Sequence, residues 1–418
     1  MAKVVIVKTL HLGKKIAVHD KQSSPLSSET FISLRSVPTI YDQKGRFVEP
    51  VNHWFIYLKS VKRLEDINSY SRALLRYWNF LEKNNLFWDQ IPSQKMLKPT
   101  YLFRNTDLIP AVKEGLLKSS TANTYIRHLV QFYSWAIYEK IIRLEPECLP
   151  FQVEFVNIKA KGMLSHIKST LHVQTHDLRI REPNRYELHE TKGLNPLNIN
   201  ELKILLNNLN KVSLELNLMI LLACGSGLRA SEVCSLTIES INTAKPTSDI
   251  KNRFIFSIGP KYGVKTKYLK ERRIEISVQT LKMIRSYVIS ERRLNRLILN
   301  DNKSYNFEPI FISQQGNRYS TASLSARWSD LRKLIKQEYP LFNFKFHDLR
   351  STYATHRISE LLDAGISEYD AIDTLMEYLG HNQEATMWKY IRYKKRKEAI
   401  CDKFTILDKL IHEFCAGD

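Results

Sequence analysis

Four separated stretches place side chains that can act together on an anion. In Gly225-Ser226-Gly227-Leu228-Arg229-Ala230-Ser231-Glu232, an apolar run ends in a Gly-Ser-Gly turn and a new helix can start near Arg229. Arg229 and Glu232 are three apart, so they share a helix face and the carboxylate can hold the guanidinium in place. Taken alone, such a pair is an ordinary surface ion pair. The second stretch, Lys261 to Arg273, carries six cations against the single acid Glu271 and contains Gly263. A positive tip of this kind can reach into a DNA groove and set an ammonium beside a leaving oxygen, or it can be a solvated loop. The third is Phe346-His347-Asp348-Leu349-Arg350, where His347 and Arg350 are three apart at a helix start and can meet one oxyanion together. In the fourth, Ser367 caps a helix with Ile372, Leu375, Met376 and Leu379 as its apolar stripe, Gly380 supplies a left-handed stop and His381 follows at once. Tyr390 comes nine positions later among Trp388, Lys389, Arg392 and Tyr393, a setting that suits packing or DNA contact as readily as chemistry.

The elements that must position these groups begin at Asn198-Ile199-Asn200-Glu201, where Asn200 is the expected N-cap, and run mostly helical to the end. One β interruption stands out: Phe254–Ile258 and Arg273–Ile276 flank the basic stretch and read as a hairpin with a long tip. Further upstream, Leu64, Ile67, Leu74, Leu75, Trp78 and Leu81 fall at helical spacing. Tyr125, Leu129, Phe132, Trp135 and Ala136 form a second helical run behind the capping candidates Ser120 and Thr121. Phe151 to Val156 alternates like a strand, and residues 1–45 mix short β-branched runs with polar turns.

The composition bounds the class of protein. The chain has 418 residues, 43% hydrophobic and 25% charged, which is enough for two or three folded domains and argues against wholesale disorder. A formal charge of +20 makes polyanions the first partner class. Cys148, Cys224, Cys234, Cys401 and Cys415 are odd in number and include no CxxC pair, which disfavours a disulfide framework and a zinc site and suits a reducing, cytoplasmic setting. No repeat of 20–50 residues and no apolar run long enough for a membrane span is present.

Taken in order, Arg229, Lys265, His347, Arg350, His381 and Tyr390 match a known signature: an arginine after Gly-Leu, a hairpin lysine, His-x-x-Arg, Leu-Gly-His and a tyrosine nine later. The region from about 195 to 400 thus resembles the tyrosine recombinase (phage integrase) family. Lys267 is the alternative hairpin lysine, and the family's usual proline after the second strand is replaced by Glu275 or Ser277. The resemblance implies a mainly α fold with a small β-sheet or hairpin, arranged as a two-domain DNA clamp. Residues 1–45 would be an extension of unknown role, 46–145 a helical core-binding domain, 146–192 a linker able to hold strands, and 193–418 the catalytic domain.

The resemblance also implies a mechanism. Arg229 and Arg350 would fork onto the non-bridging oxygens of a phosphodiester. Tyr390 would attack phosphorus, its proton loss helped by His347 or by the electrostatic field of the two arginines, Lys265 would protonate the departing oxygen, and His381 would hydrogen-bond the phosphate. The product would be a 3′-phosphotyrosyl link, made without metal or ATP. Double-stranded DNA with inverted-repeat core sites, a homo-tetramer assembled on it, and an accessory bending or directionality protein are the implied partners, in the cytoplasm at the nucleoid. A type IB topoisomerase and a non-catalytic DNA-binding protein on the same fold are the competing expectations.

Overall fold

The computed structural model describes residues 1–12, 32–159, 170–181, 194–247, 253–299, 305–380 and 387–393. The chain divides into two compact units, Met1–Glu187 and Leu188–Asp418, both mainly helical with small antiparallel sheets.

The first unit opens with a hairpin of Lys3–Leu12 and Ile32–Tyr41, in register from Lys3 opposite Tyr41 to Leu12 opposite Ile32. Its base is fastened to the unit by Ala2 and Ile40, which lie in the same apolar core as Trp54, Tyr77 and Phe132. That core is contributed mainly by the helices Glu49–Ser60, Asn68–Lys83 and Ser119–Tyr138. Its buried phenols are satisfied in a chain: the Tyr77 and Tyr133 hydroxyls are 2.7 Å apart, and Tyr133 donates to the Trp88 carbonyl at 2.7 Å. Two helix starts differ from the sequence reading. Leu64 and Ile67 precede the second helix, which starts at Asn68 with Ile67 as its N-cap. Ser120 and Thr121 lie inside the third helix, whose N-cap is Lys118.

Residues 146–192 do more than connect. Val153–Lys159 and Thr170–His176 pair as a second hairpin, and the chain then returns Leu178 and Ile180 to the core of the first unit. Asn123 fixes that return by accepting from the Ile180 amide at 2.9 Å and donating to its carbonyl at 3.0 Å.

The second unit begins with a capping box, on Asn198 rather than Asn200. The Glu201 amide donates to Asn198 Oδ1 at 2.9 Å, and the Asn198 amide to Glu201 Oε2 at 2.7 Å. The next long helix, Leu214–Ser226, is apolar on nearly every side and is buried accordingly. A three-stranded antiparallel sheet of Lys245–Pro246, Arg253–Ile258 and Arg272–Ser277 packs beside it. The helix Asp348–Asp363 rests between Leu214–Ser226 and Glu368–Leu379. Residues 387–393 are helical, and Met387, Tyr390 and Ile391, at helical spacing, enter a core shared with Tyr353, Ile358, Ile372, Leu375 and Leu379. Among the described residues, no helix is long and apolar enough to cross a membrane.

Candidate active site

Gly227 is where the site is built. It ends the helix Leu214–Ser226 with φ of 64°, and a Cβ there would stand 2.5 Å from the Tyr353 ring and 2.7 Å from Leu379. Only glycine lets the chain turn in that space. Arg229 follows as the N-cap of the helix Ala230–Ser235. Glu232 closes the turn, accepting from the Arg229 amide at 2.8 Å and from its Nη1 at 2.9 Å.

Glu232 is fully buried, so its charge must be met from more than one side. Arg272, on the second hairpin strand, supplies a parallel fork, Nη1 to Oε1 at 2.9 Å and Nη2 to Oε2 at 2.7 Å. Burial alone would raise the Glu232 carboxyl, yet the hydrogen bonds and charge of Arg272, with Arg229 behind them, hold it at about 2. Arg272 Nε donates in addition to the Tyr378 carbonyl at 2.8 Å, near the end of the helix that Gly380 stops with φ of 62°.

Arg350 enters the same space from the helix Asp348–Asp363. Its Nη1 donates to the Gly227 carbonyl at 2.7 Å and its Nη2 to the Leu379 carbonyl at 2.5 Å, so the guanidinium bridges the two glycine-ended helices. Burial first, and then Arg229, push its pKa down to about 9, so it remains a cation at neutral pH and lacks a full counter-charge. His347 is the N-cap of that helix. Burial and the neighbouring Arg350 lower its pKa from the ordinary 6.5, which leaves a neutral imidazole able to accept a proton.

Tyr390 is 3% exposed and within hydrogen-bonding reach of the Ser351 hydroxyl. Burial raises its phenol above the ordinary 10, while Ser351, Arg350 and Arg229 pull in the opposite direction. Arg229 and Arg350 thus lie within charge range of both His347 and Tyr390, so the two guanidinium groups are common neighbours of the imidazole and the phenol. Lys265 is exposed on the hairpin tip between the buried Val264 and Thr266. Its amide donates to Ser235 Oγ at 2.9 Å, which ties the tip to the Arg229 helix. Lys267, also exposed, lies over the Tyr268 ring, 4.9 Å from its centroid. His381 lies outside the described residues.

Sequence reasoning missed the support beneath these groups. Arg272 stands out afterwards because it is in phase with the buried Ile274 and Ile276 on its strand. Glu275 gave no such signal. It is buried between Arg253 at 3.1 Å and Arg357 at 2.9 Å and accepts from the Tyr353 hydroxyl, which joins the sheet to the helix carrying Arg350. Ser277, the other residue considered for the missing proline, caps the helix Val278–Val288 by accepting from the Thr280 amide at 3.1 Å.

Residues 196–397 match the family model of the phage integrase family. The tyrosine recombinase XerA of Pyrococcus horikoshii is 30% identical over 196 residues, covering 46% of this chain and 56% of the relative. XerA of Pyrococcus furiosus is 30% identical over 215 residues, covering 50% and 62%. The chain thus spans less than two thirds of the length of these curated relatives. The crystal structure of XerH site-specific recombinase bound to palindromic difH substrate, a post-cleavage complex, is similar in fold with a TM-score of 0.51 and 17% identity over 81% of this chain and 79% of that one. The family match covers the whole Arg229 to Tyr390 region, so residues 196–397 are a domain of the phage integrase family, the family of the tyrosine recombinases.

Proposed function

We propose that this protein is a site-specific DNA recombinase that cuts and rejoins duplex DNA through a 3′-phosphotyrosyl intermediate, in the integration or excision of a mobile element. The observation that carries the reading is the gathering of Arg229, His347, Arg350 and Tyr390 around an incompletely neutralised positive centre. Phosphodiester cleavage concentrates negative charge on the non-bridging oxygens, so preorganised guanidinium groups contribute where that charge develops.

In this reading Arg350 keeps two N–H donors on carbonyls and offers the rest of its fork, with Arg229, to the scissile phosphate. His347 takes the Tyr390 proton as the phenolate oxygen bonds to phosphorus. The bond from phosphorus to the 5′ oxygen breaks, and Lys265 delivers a proton to that oxygen. The Ser235 tether on the Lys265 backbone favours Lys265 over Lys267 for this role. Attack of another 5′-hydroxyl on the phosphotyrosine reverses the step, so the energy of the bond is conserved. His381 would hydrogen-bond the phosphate. The working form would be a tetramer on inverted-repeat core sites, acting in the cytoplasm at the nucleoid, with residues 46–145 and 193–418 as the two DNA-binding domains and an accessory protein setting direction.

The test is covalent trapping in EDTA on nicked duplexes that include the ends of the protein's own genetic locus. Adducts through a 3′-phosphate to Tyr390 at a defined inverted repeat are expected, with none from Tyr390→Phe. Adducts without sequence preference would mark a topoisomerase, and binding without any adduct a non-catalytic DNA-binding protein.

A further inference from the structure

On the hairpin tip, shortly before the strand Arg272–Ser277, Tyr268 and Leu269 are consecutive residues with φ of 62° and 55°. Two left-handed residues in succession are what a tight hairpin turn gives to Asn-Gly, because a side chain at each position is strained there. Both side chains are, moreover, 75% exposed, so the fold gains no apolar burial in return for the strain. A strained conformation that the fold itself does not repay is a mark of function.

The surroundings say what the pair meets. Lys267 and Lys270 flank it directly in the chain, and Lys261 and Lys265 lie on the same exposed tip against the single acid Glu271, so the apolar pair sits in a segment of net positive charge. A protein surface that accepts Tyr-Leu would be apolar and would have to meet that net charge separately. Duplex DNA offers both at once, phosphates for the lysines on either side and the faces of stacked bases between them. We propose that Tyr268 and Leu269 form an apolar wedge that enters the base stack, unstacking one step of the DNA on which the protein acts. The wedge rests on the recombinase reading, and it adds a base-reading element to a site otherwise built for phosphate. Because pyrimidine–purine steps unstack most readily, the wedge would favour sites with such a step at its point of entry.

The experiment compares wild type with a variant carrying Tyr268→Asn and Leu269→Gly, which keeps every lysine and gives the turn the residues it prefers. Each is titrated by fluorescence anisotropy against a mixed-sequence duplex at several salt concentrations, and unstacked thymines on the bound duplex are mapped with permanganate. The variant should melt no lower than wild type, bind at least about fivefold more weakly, as for loss of one base contact, and keep the same salt slope. The permanganate-reactive thymines of the wild-type complex should disappear. Leu269→Met should retain them and Leu269→Asn should lose them. Unchanged affinity and reactivity in the double variant would overturn the wedge while leaving the recombinase reading intact. Normal reactivity with lost assembly of copies on the duplex would overturn it in favour of a contact between copies. A wild type that does not bind duplex DNA would overturn both readings.

Discussion

Arg272 takes hold of both carboxylate oxygens of Glu232 from 40 residues further along the chain, and Glu232 in turn takes hold of Arg229. The guanidinium proposed to meet the scissile phosphate is thus oriented by a carboxylate that is itself held from a second side. Glu232→Gln keeps the shape but loses the charge on which both arginines depend. Cleavage in a single turnover should fall about tenfold or more, while duplex affinity at fixed salt stays nearly unchanged, since the removed charge never meets the DNA. Arg272→Ala leaves Glu232 buried with one partner fewer and should destabilise the fold by about 3–5 kcal/mol in a denaturant titration. An Arg272→Ala protein as stable as wild type would show that the fork contributes no net stability.

The same pair sets a pH dependence. The Glu232 carboxyl has a folded pKa of about 2, below its ordinary 4.5, so its contribution is complete above pH 4.5 and is lost as pH falls from there toward 2. The difference amounts to roughly 3 kcal/mol. Melting temperature should therefore drop more steeply between pH 5 and about pH 3 in wild type than in Glu232→Gln. Equal slopes would show that other carboxylates carry the acid sensitivity.

Gly227 predicts a different failure. A methyl group there meets Tyr353 at 2.5 Å while φ stays at 64°, so Gly227→Ala combines steric overlap with backbone strain. A loss of about 2–4 kcal/mol is expected by denaturant titration, and cleavage should fall by more than the unfolded fraction explains, because the Gly227 carbonyl is one of two that hold Arg350.

Where the sequence was readable, the reason was local. The start of a helix beside Arg229, the stop at Gly380 and the pairing of Arg253–Ile258 with Arg272–Ser277 all follow from rules that act within a few residues. The choice between Asn198 and Asn200 was not local in this sense. Both are good caps two residues apart, and Asn198 prevails because Glu201 completes the box from N3. The Glu275 cluster was invisible for a stronger reason: its partners Arg253, Tyr353 and Arg357 come from two other elements, and a glutamate between isoleucines on a strand reads as the exposed face. The polar contacts from the helix that carries Arg350, with Glu368–Leu379 packed on the same strand, make that face an interior one.

That helix also carries the most demanding prediction. Arg350 reaches the Gly227 and Leu379 carbonyls at once and still has N–H groups for a phosphate, a combination that needs a planar fork. A lysine at this position has one nitrogen and would serve a carbonyl or the phosphate, but not all three. Arg350→Lys keeps the positive charge, so duplex binding and its salt slope should stay within about twofold of wild type. Adduct formation on a nicked duplex, measured in a single turnover, should fall by about 10²–10³, the cost of one misplaced donor at a developing oxyanion. Arg229→Lys should show a similar loss with less effect on stability, because among the described residues the Arg229 guanidinium bonds the Glu232 side chain rather than a backbone carbonyl of a neighbouring helix. A near-normal rate in Arg350→Lys would mean that charge alone suffices at this position, and the two carbonyl contacts would then be structural supports rather than aids to catalysis.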